Sequence, residues 1–279
     1  MPAGGDHQIT ATKMGHKPMN TSNKAWLAWL ARLALVAGIG VGAVGLAAPV
    51  GTWLGLWNFG TGFQLLFNPE GLNVTTVASW VAIAAIVVAI IAFVLANENK
   101  AKLGVTALIG AIAAGSAYQI PNSYRPGPDD NIPGIHDITT DTQNPPQFVD
   151  VLPLRADAPN TTIYGGGEGE TPESLAALQQ SAYPDIVTQQ FQESPTAVFE
   201  RAAAAVRSLG WDIVAEVPAQ GRIEATDTTF WFRFKDDIVI RIRPAGNGGA
   251  VLDARSVSRV GRGDAGKNAE RLRAFFAAL

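Results

Sequence analysis

The densest group of chemically capable side chains in the 279-residue chain is the run His136-Asp137-Ile-Thr139-Thr140-Asp141. A histidine can act as a general base or bind a metal, and Asp137 or Asp141 could orient it. The alternative is an extended segment whose Asp and Thr side chains bond to backbone amides and tie a loop to a sheet. Catalytic and zinc sites need more converging groups than one histidine region supplies. The structural interpretation is therefore favoured.

Two weaker constellations involve the same histidine. Ser256 or Ser258 with this histidine and an aspartate would form a hydrolase triad, but no nucleophile-elbow motif surrounds either serine. Asp227, Asp236 and Asp237 could bind a cation beside it, although predicted turn positions already account for these acids. We expect neither a metal nor a cofactor.

The basic loop 259–264 is the strongest candidate for anion or partner binding. It carries Arg259 and Arg262 and leads into the N-terminus of a predicted helix, where free amides favour an anion. Against this, Asp264 can cap those amides. Arg259 can instead form a structural ion pair with the acidic segment described below, for example with Asp137 or Asp141, and this interpretation is favoured.

The segment 223–242 is predicted to form the centre of a sheet, because aromatic and β-branched residues alternate through it. A three-residue turn at 235–237 would keep its even-numbered apolar residues on one face and place Trp231 opposite Arg241 on the other. Trp231 and Arg241 then form an exposed cation–π pair that is a candidate partner-binding face. The predicted core set is Phe230, Phe232, Phe234, Ile238, Ile240 and Ile242.

The C-terminal part of the chain is predicted to be an α+β domain, residues 191–279. A helix opens with Ser194 as N-cap and Pro195 at its first position, and Gly210 ends it. Five antiparallel strands follow, and a helix with an apolar stripe closes the chain over residues 264–279. The fold class is therefore a five-stranded antiparallel sheet with flanking helices, preceded by three transmembrane helices.

Residues 26–120 are predicted to be a membrane domain. Of all residues, 47% are hydrophobic and only 16% are charged, a balance typical of membrane proteins. The first span follows Trp26 and could also be a signal peptide; the other two are Val74–Leu95 and residues 103–120. Residues 52–71 form an interfacial aromatic stretch. Gly38 and Gly42 have the spacing that brings helices close.

The charges of the short loops predict the orientation. Lysines and Arg32 flank the start of the first span, and Lys100 and Lys102 follow the second, whereas the first connection lacks Lys and Arg. The positive-inside rule then places the N-terminus in the cytoplasm and the C-terminal domain in the periplasm of a bacterial inner membrane.

The remaining segments are a tail and a connector. Residues 1–25 are predicted to be a disordered cytoplasmic tail. Residues 121–190 are acidic and rich in Pro and Gly, and are expected to pack on the C-terminal domain. The net charge of −3 gives no reason to expect a nucleic-acid partner, and the absence of cysteine excludes thiol chemistry.

Three separated blocks resemble the DUF1499 family, whose molecular function is not established: GIHDITTDTQNPP (134–146), ATDTTFWFRFKDDIVIRI (225–242) and SVSRVGRGDAGKNAERLR (256–273). The resemblance covers residues 132–279, and this chain has Gly263 where the family typically has serine. We expect a non-enzymatic envelope module that binds a protein or lipid partner. A hydrolase or metal-dependent enzyme using His136, Asp137 and Asp141 is the alternative, and metal analysis of a His136→Ala variant separates the two.

Overall fold

The computed structural model describes residues 25–68, 71–96, 99–123, 132–246 and 248–279. These residues form two compact units. One contains the described residues up to Val41 together with Ala78–Gly115, and the other contains Gly42–Val77 and Ser116–Leu279. The predicted disordered tail lies outside the described residues, apart from its last position.

Three helices are long and apolar enough to cross a membrane, as the sequence predicted: α1 (Ala25–Trp53), α3 (Val74–Leu95) and α4 (Lys100–Asn122). At about 1.5 Å per residue, the 22 residues of α3 extend over roughly 33 Å, which matches the apolar core of a bilayer. Between α1 and α3 lies the short helix α2 (Phe59–Phe67), whose N-cap Asn58 accepts a hydrogen bond from the Thr61 amide.

In the first unit, small residues let α1 and α4 approach closely. A Cβ on Gly38 would overlap the carbonyl group of Gly110, and one on Gly110 would overlap that of Ala34. Close backbone approach through small residues is a common mode of helix association in membranes. Five of the alanines buried in this unit form a cluster: Ala31, Ala34, Ala85, Ala107 and Ala111.

The second unit contains an antiparallel sheet with strand order β1-β6-β5-β4-β3, and β2 also pairs with β6. The α+β class is confirmed, with six strands of which five follow the main order. The strands are β1 (Asp137–Thr139), β2 (Gln189–Phe191), β3 (Asp212–Val217), β4 (Arg222–Thr228), β5 (Lys235–Pro244) and β6 (Ala250–Ser258). The helices of this part are α5 (Pro172–Ala182), α6 (Pro195–Ser208) and α7 (Lys267–Ala278).

The two faces of the sheet differ in what covers them. Ile238, Ile240 and Ile242 of β5 lie in the hydrophobic core on the face covered by α6 and α7, as predicted. Because strand residues alternate between faces, the odd-numbered positions of β5 and β6 lie on the opposite face. That second face carries acids and arginines, and residues of the segment 141–164 cover it.

The predicted register of the central hairpin is wrong. β4 ends at Thr228 and β5 begins at Lys235, so these two residues pair and residues 229–234 form the connecting loop. Arg241 pairs with Arg222 instead of Trp231. The aromatic residues Phe230, Phe232 and Phe234 belong to this loop and not to the sheet core.

Strand β5 includes the two acids that were predicted to form the turn. Asp236 and Asp237 are buried side chains of β5. Their charges suit a turn only if they face water, and here each is bound by arginine inside the fold. The ion pairs therefore allow β5 to begin at Lys235, three residues before Ile238, where the predicted turn would have let it start.

Candidate functional site

The predicted His136 cluster does not converge on one site. His136 Nδ1 lies 3.3 Å from the carbonyl oxygen of Arg262, and the His136 carbonyl accepts a hydrogen bond from Asn268 Nδ2. Asp137 and Asp141 bind arginines elsewhere on the sheet. Among the residues that the structure describes, no group of three or more His, Asp or Glu side chains is placed to hold a metal.

Asp137 is one half of a fully buried ion pair with Arg255. The guanidinium donates from Nε to Asp137 Oδ1 at 2.9 Å and from Nη2 to Oδ2 at 2.6 Å. Its other hydrogen bonds go to the carbonyl oxygens of Pro146 and Thr162. Its π contacts are the rings of Phe148 and Tyr164. This arginine was missed; its signal was a cationic residue inside the predicted strand 250–258.

Arg259 binds Asp237, and the predicted pairing with Asp137 or Asp141 is wrong. Arg259 donates from Nε and Nη2 to the two carboxyl oxygens of Asp237, each at 2.8 Å. Arg155 donates to the same carboxylate at 2.6 Å. Two guanidinium groups thus share one carboxylate, and one positive charge is left in excess. Arg262 is exposed, and no ion pair involves it among the described residues.

Asp253 is the centre of a second cluster of charged residues, on the sheet face opposite α6 and α7. Its Oδ2 accepts hydrogen bonds from Arg241 at 2.8 Å and Arg243 at 2.7 Å, and its Oδ1 accepts one from Thr188 at 2.6 Å. Arg241 also binds Asp141 at 3.1 Å. Burial of Asp253 would by itself raise its pKa, but the hydrogen bonds from Thr188, Arg241 and Arg243 outweigh that effect and hold the pKa below its ordinary value.

Replacing Asp253 by asparagine should lower the midpoint of thermal unfolding at neutral pH, and the difference from wild type should shrink in acid. A carboxylate with a depressed folded-state pKa stabilises the fold above its unfolded-state pKa of about 3.9 and loses this effect as the pH falls through the folded-state value. Scanning fluorimetry of both full-length proteins in detergent, from neutral pH to about pH 2, measures the difference. A difference that stays constant across this range would contradict the assignment.

Glu224 fastens the covering segment to the sheet. Its two buried carboxyl oxygens accept hydrogen bonds from the amides of Val149 and Val151, each at 2.8 Å. Arg222 pairs with Glu224 and with Asp150 of the same segment. A carboxylate that accepts hydrogen bonds from the amides of two residues, two positions apart, holds that backbone in place. The role of Glu224 is therefore structural.

On the helix-covered face, Arg271 of α7 joins the remaining predicted candidates. It donates to Asp236 at 2.6 Å, to Asp227 at 2.8 Å and to Asn268 Oδ1 at 2.6 Å. The side chain of Asn268 also bonds to the hydroxyls of Ser256 and Ser258. Asp227 and Asp236, two of the acids proposed for cation binding, therefore bind an arginine. The serines proposed for a triad bind the Asn268 amide.

Residues 229–234, here called the aromatic loop, have a defined conformation. The Thr229 amide donates to the Phe234 carbonyl at 2.8 Å, and the Phe234 amide donates to the Thr229 hydroxyl at 2.9 Å. Arg233 adopts a positive φ of 56°, which is uncommon for a residue with a side chain. The loop connects the end of β4 to the start of β5.

The aromatic loop packs against α2 and the end of α1. Three ring pairs form this contact: Trp53–Phe230 at 5.0 Å, Phe59–Phe234 at 5.3 Å and Phe63–Phe232 at 5.9 Å between centroids. The indole Nε1 of Trp53 donates to the carbonyls of Phe230 and Trp231, both at 2.9 Å. Gly62 permits the close approach, because a Cβ there would lie 3.1 Å from the Phe232 ring.

A pocket of about 230 Å³ lies beside this contact. Rings of the aromatic loop and the Phe59 ring of α2 line it, together with residues that directly follow β6 and residues in and just after the short 3-10 helix Leu152–Arg155. Its lining residues are Phe59, Leu154, Asp157, Ala158, Phe232, Arg233, Phe234, Lys235, Arg259 and Val260. Sequence reasoning missed this pocket because it assigned the three phenylalanines to the core.

A family model described as a protein of unknown function, DUF1499, matches residues 137–279, just over half of the chain. The chain belongs to the DUF1499 family. The predicted resemblance is therefore confirmed. No match was found among curated proteins. The DUF1499 region begins at Asp137 and contains both partners of the Asp137–Arg255 pair, the Asp237 and Asp253 clusters and the aromatic loop.

Proposed function

We propose that this DUF1499 protein is a non-enzymatic binding module whose sheet domain is held at the outer surface of a bacterial inner membrane. The observation that carries the proposal is the contact between the aromatic loop and α2. Helix α2 connects two candidate membrane spans and is rich in Phe, as expected for a segment at the membrane interface. The loop's contact with α2 brings this end of the sheet to the same interface.

The contact also supports three crossings of the membrane. If α1, α3 and α4 all cross, the chain leaves α4 on the side where α1 ends and α3 begins. The sheet domain can then touch Trp53 and Phe59, as it does. With only two crossings, the domain would emerge on the side opposite α2, where this contact is impossible. The distribution of Lys and Arg favours the side with α2 as the outer one, the periplasm.

The partners of the polar candidates support a non-enzymatic role. His136, Asp137 and Asp141 bind to three different groups, and the hydroxyls of Ser256 and Ser258 bind Asn268. Arg241 and Arg259 are held by carboxylates. In this proposal these side chains stabilise the domain, and the acidic segment 121–190 is part of it, while the surface near the aromatic loop meets the partner.

A crosslinking experiment in native membranes tests the docked arrangement. The chain contains no cysteine, so Phe59→Cys and Phe234→Cys introduce a unique pair. The two rings lie 5.3 Å apart, and the other ring pairs keep the contact in place. A short, membrane-impermeant bis-maleimide added from the outer side should join the two cysteines within one chain, seen as a shift in gel mobility.

The matched control pairs Phe59→Cys with Gly246→Cys. Gly246 has open space for a Cβ and follows the ten-residue strand β5, about 30 Å from its start at Lys235. This pair should not crosslink. A crosslink with Gly246 as efficient as with Phe234, no crosslink for the first pair, or reaction only after the membrane is opened would each overturn the proposal.

A further inference from the structure

The pocket beside the aromatic loop has an excess of positive charge. Arg233 and Lys235 are exposed, and neither has an ion-pair partner among the described residues. Arg259 reaches the same pocket and shares the Asp237 carboxylate with Arg155, which leaves a further unit of positive charge. Asp157 is the one acid in the lining. An anion is therefore the ligand that this surface favours.

Apolar groups next to these cations point to an amphiphile. Phe59, Phe232 and Phe234 contribute rings to the wall, and Leu154 is 55% exposed beside them. Phe230, in the same loop, is 64% exposed. A free inorganic anion gains nothing from such groups, whereas a lipid places its phosphate next to apolar carbon.

The pocket is a small groove open to solvent, so it can hold only part of a larger ligand. At about 230 Å³ it is smaller than the roughly 300–1,000 Å³ typical of sites that enclose a whole drug-sized ligand. A headgroup fits this volume, and the acyl chains would remain in the bilayer beyond the rim formed by exposed apolar side chains.

We infer that this pocket binds the headgroup of an anionic phospholipid from the bilayer that the protein's own helices cross, with the phosphate between Arg233 and Lys235. The rings of Phe232 and Phe234 and the side chain of Leu154 contact the glycerol and upper acyl region. This inference rests on the proposed function, because the lipid reaches the pocket only if the aromatic loop lies at the membrane interface. Arg233 is an exposed residue that lines the pocket.

Titration calorimetry on the full-length protein in a neutral detergent tests the inference. Short-chain phosphatidylglycerol, short-chain phosphatidylcholine and inorganic phosphate are the three probes. We expect phosphatidylglycerol to bind at least tenfold more tightly than either of the others. Arg233→Gln and Lys235→Gln should each weaken its binding about fivefold, the factor equivalent to about 1 kcal/mol per basic residue. Arg233→Lys should bind almost as well as wild type.

The control variant is Arg207→Gln, which removes the same charge from an exposed ion pair on α6 outside the pocket. It should bind phosphatidylglycerol like wild type, and thermal unfolding of each variant shows that the fold is retained. Equal affinity for the two lipids, equal affinity for free phosphate, or no loss in the Arg233→Gln/Lys235→Gln double variant would each overturn the inference.

The crosslink between positions 59 and 234, measured in native membranes, separates this failure from that of the proposed function. If the crosslink forms and lipid selectivity is absent, the inference fails and the docked module stands. If the crosslink is absent, the proposed function fails and the lipid assignment fails with it.

Discussion

Replacing Asp137 by alanine is expected to lower the free energy of unfolding by about 3–5 kcal/mol, because it leaves the fully buried Arg255 without its carboxylate. The bonds of Arg255 to the carbonyls of Pro146 and Thr162 remain, but its charge is unpaired and its Nε loses its acceptor. Urea unfolding of the full-length protein in detergent, followed by near-ultraviolet circular dichroism, measures the change.

Two further variants show whether the cost arises from the unpaired charge. The double replacement Asp137→Leu with Arg255→Met should recover most of the lost stability, since apolar groups of similar size can replace a buried ion pair. Arg207→Ala breaks an exposed pair and should cost no more than about 1 kcal/mol. A cost for Asp137→Ala as small as that of Arg207→Ala would show that Arg255 is solvated.

Replacing Arg271 by alanine is the second change with a large expected effect, again about 3–5 kcal/mol. Arg271 is the guanidinium that neutralises Asp236, a carboxylate only 4% exposed. Its other acid, Asp227, is partly exposed and can be hydrated when the arginine is lost. Hydrogen exchange of α7 and β5 should show that these two elements become less protected, because Arg271 joins them.

A rescue variant and a control variant for this prediction use residues near Arg271. Adding Asp236→Asn to Arg271→Ala removes the buried charge and should restore part of the stability. Lys267→Ala, on the same helix, breaks only the exposed pair with Glu270 and should have little effect. Lack of any rescue by Asp236→Asn would mean that Arg271 stabilises through packing instead of charge.

Sequence patterns predicted the parts of the fold that depend on residues close together in the sequence. The three spans follow from uninterrupted apolar length, and α6 begins at Pro195 after the Ser194 cap, as the capping pattern predicts. Ile238, Ile240 and Ile242 alternate toward the helices because one face of the sheet must be buried. Each of these inferences needs only neighbouring residues.

The aromatic loop shows why the rest could not be predicted. Phe230, Phe232 and Phe234 alternate as a strand would, but their apolar partners are rings about 170 residues earlier, in and before α2. Alternation indicates that side chains are covered; it does not identify what covers them. Asp236 and Asp237 resemble a turn because their arginine partners, Arg271 and Arg155, lie 35 and 82 residues away in the sequence.

The sequence identified several residues of the candidate site but not the contacts between them. Arg241 and Asp141 were both selected as candidates, and the structure places them in one ion pair that no sequence pattern had joined. Arg255 and Arg155 were not selected. Each was visible in the sequence as an arginine within a predicted strand or loop. A buried arginine requires an acidic partner, and only the fold shows which acid lies beside it.

Because β1 pairs with β6, β1 cannot complete its hydrogen bonds until the C-terminal part of the chain has been synthesised. Arg255 and Asp137 are 118 residues apart, and β2 also completes its hydrogen bonds only with β6. The segment that carries β1 is therefore made and released long before its partner strand exists, and closing so long a loop slows folding. A chain that stops before Ala250 leaves β1 and β2 without their neighbour, and quality-control proteases should remove such products faster than chains shortened within α7.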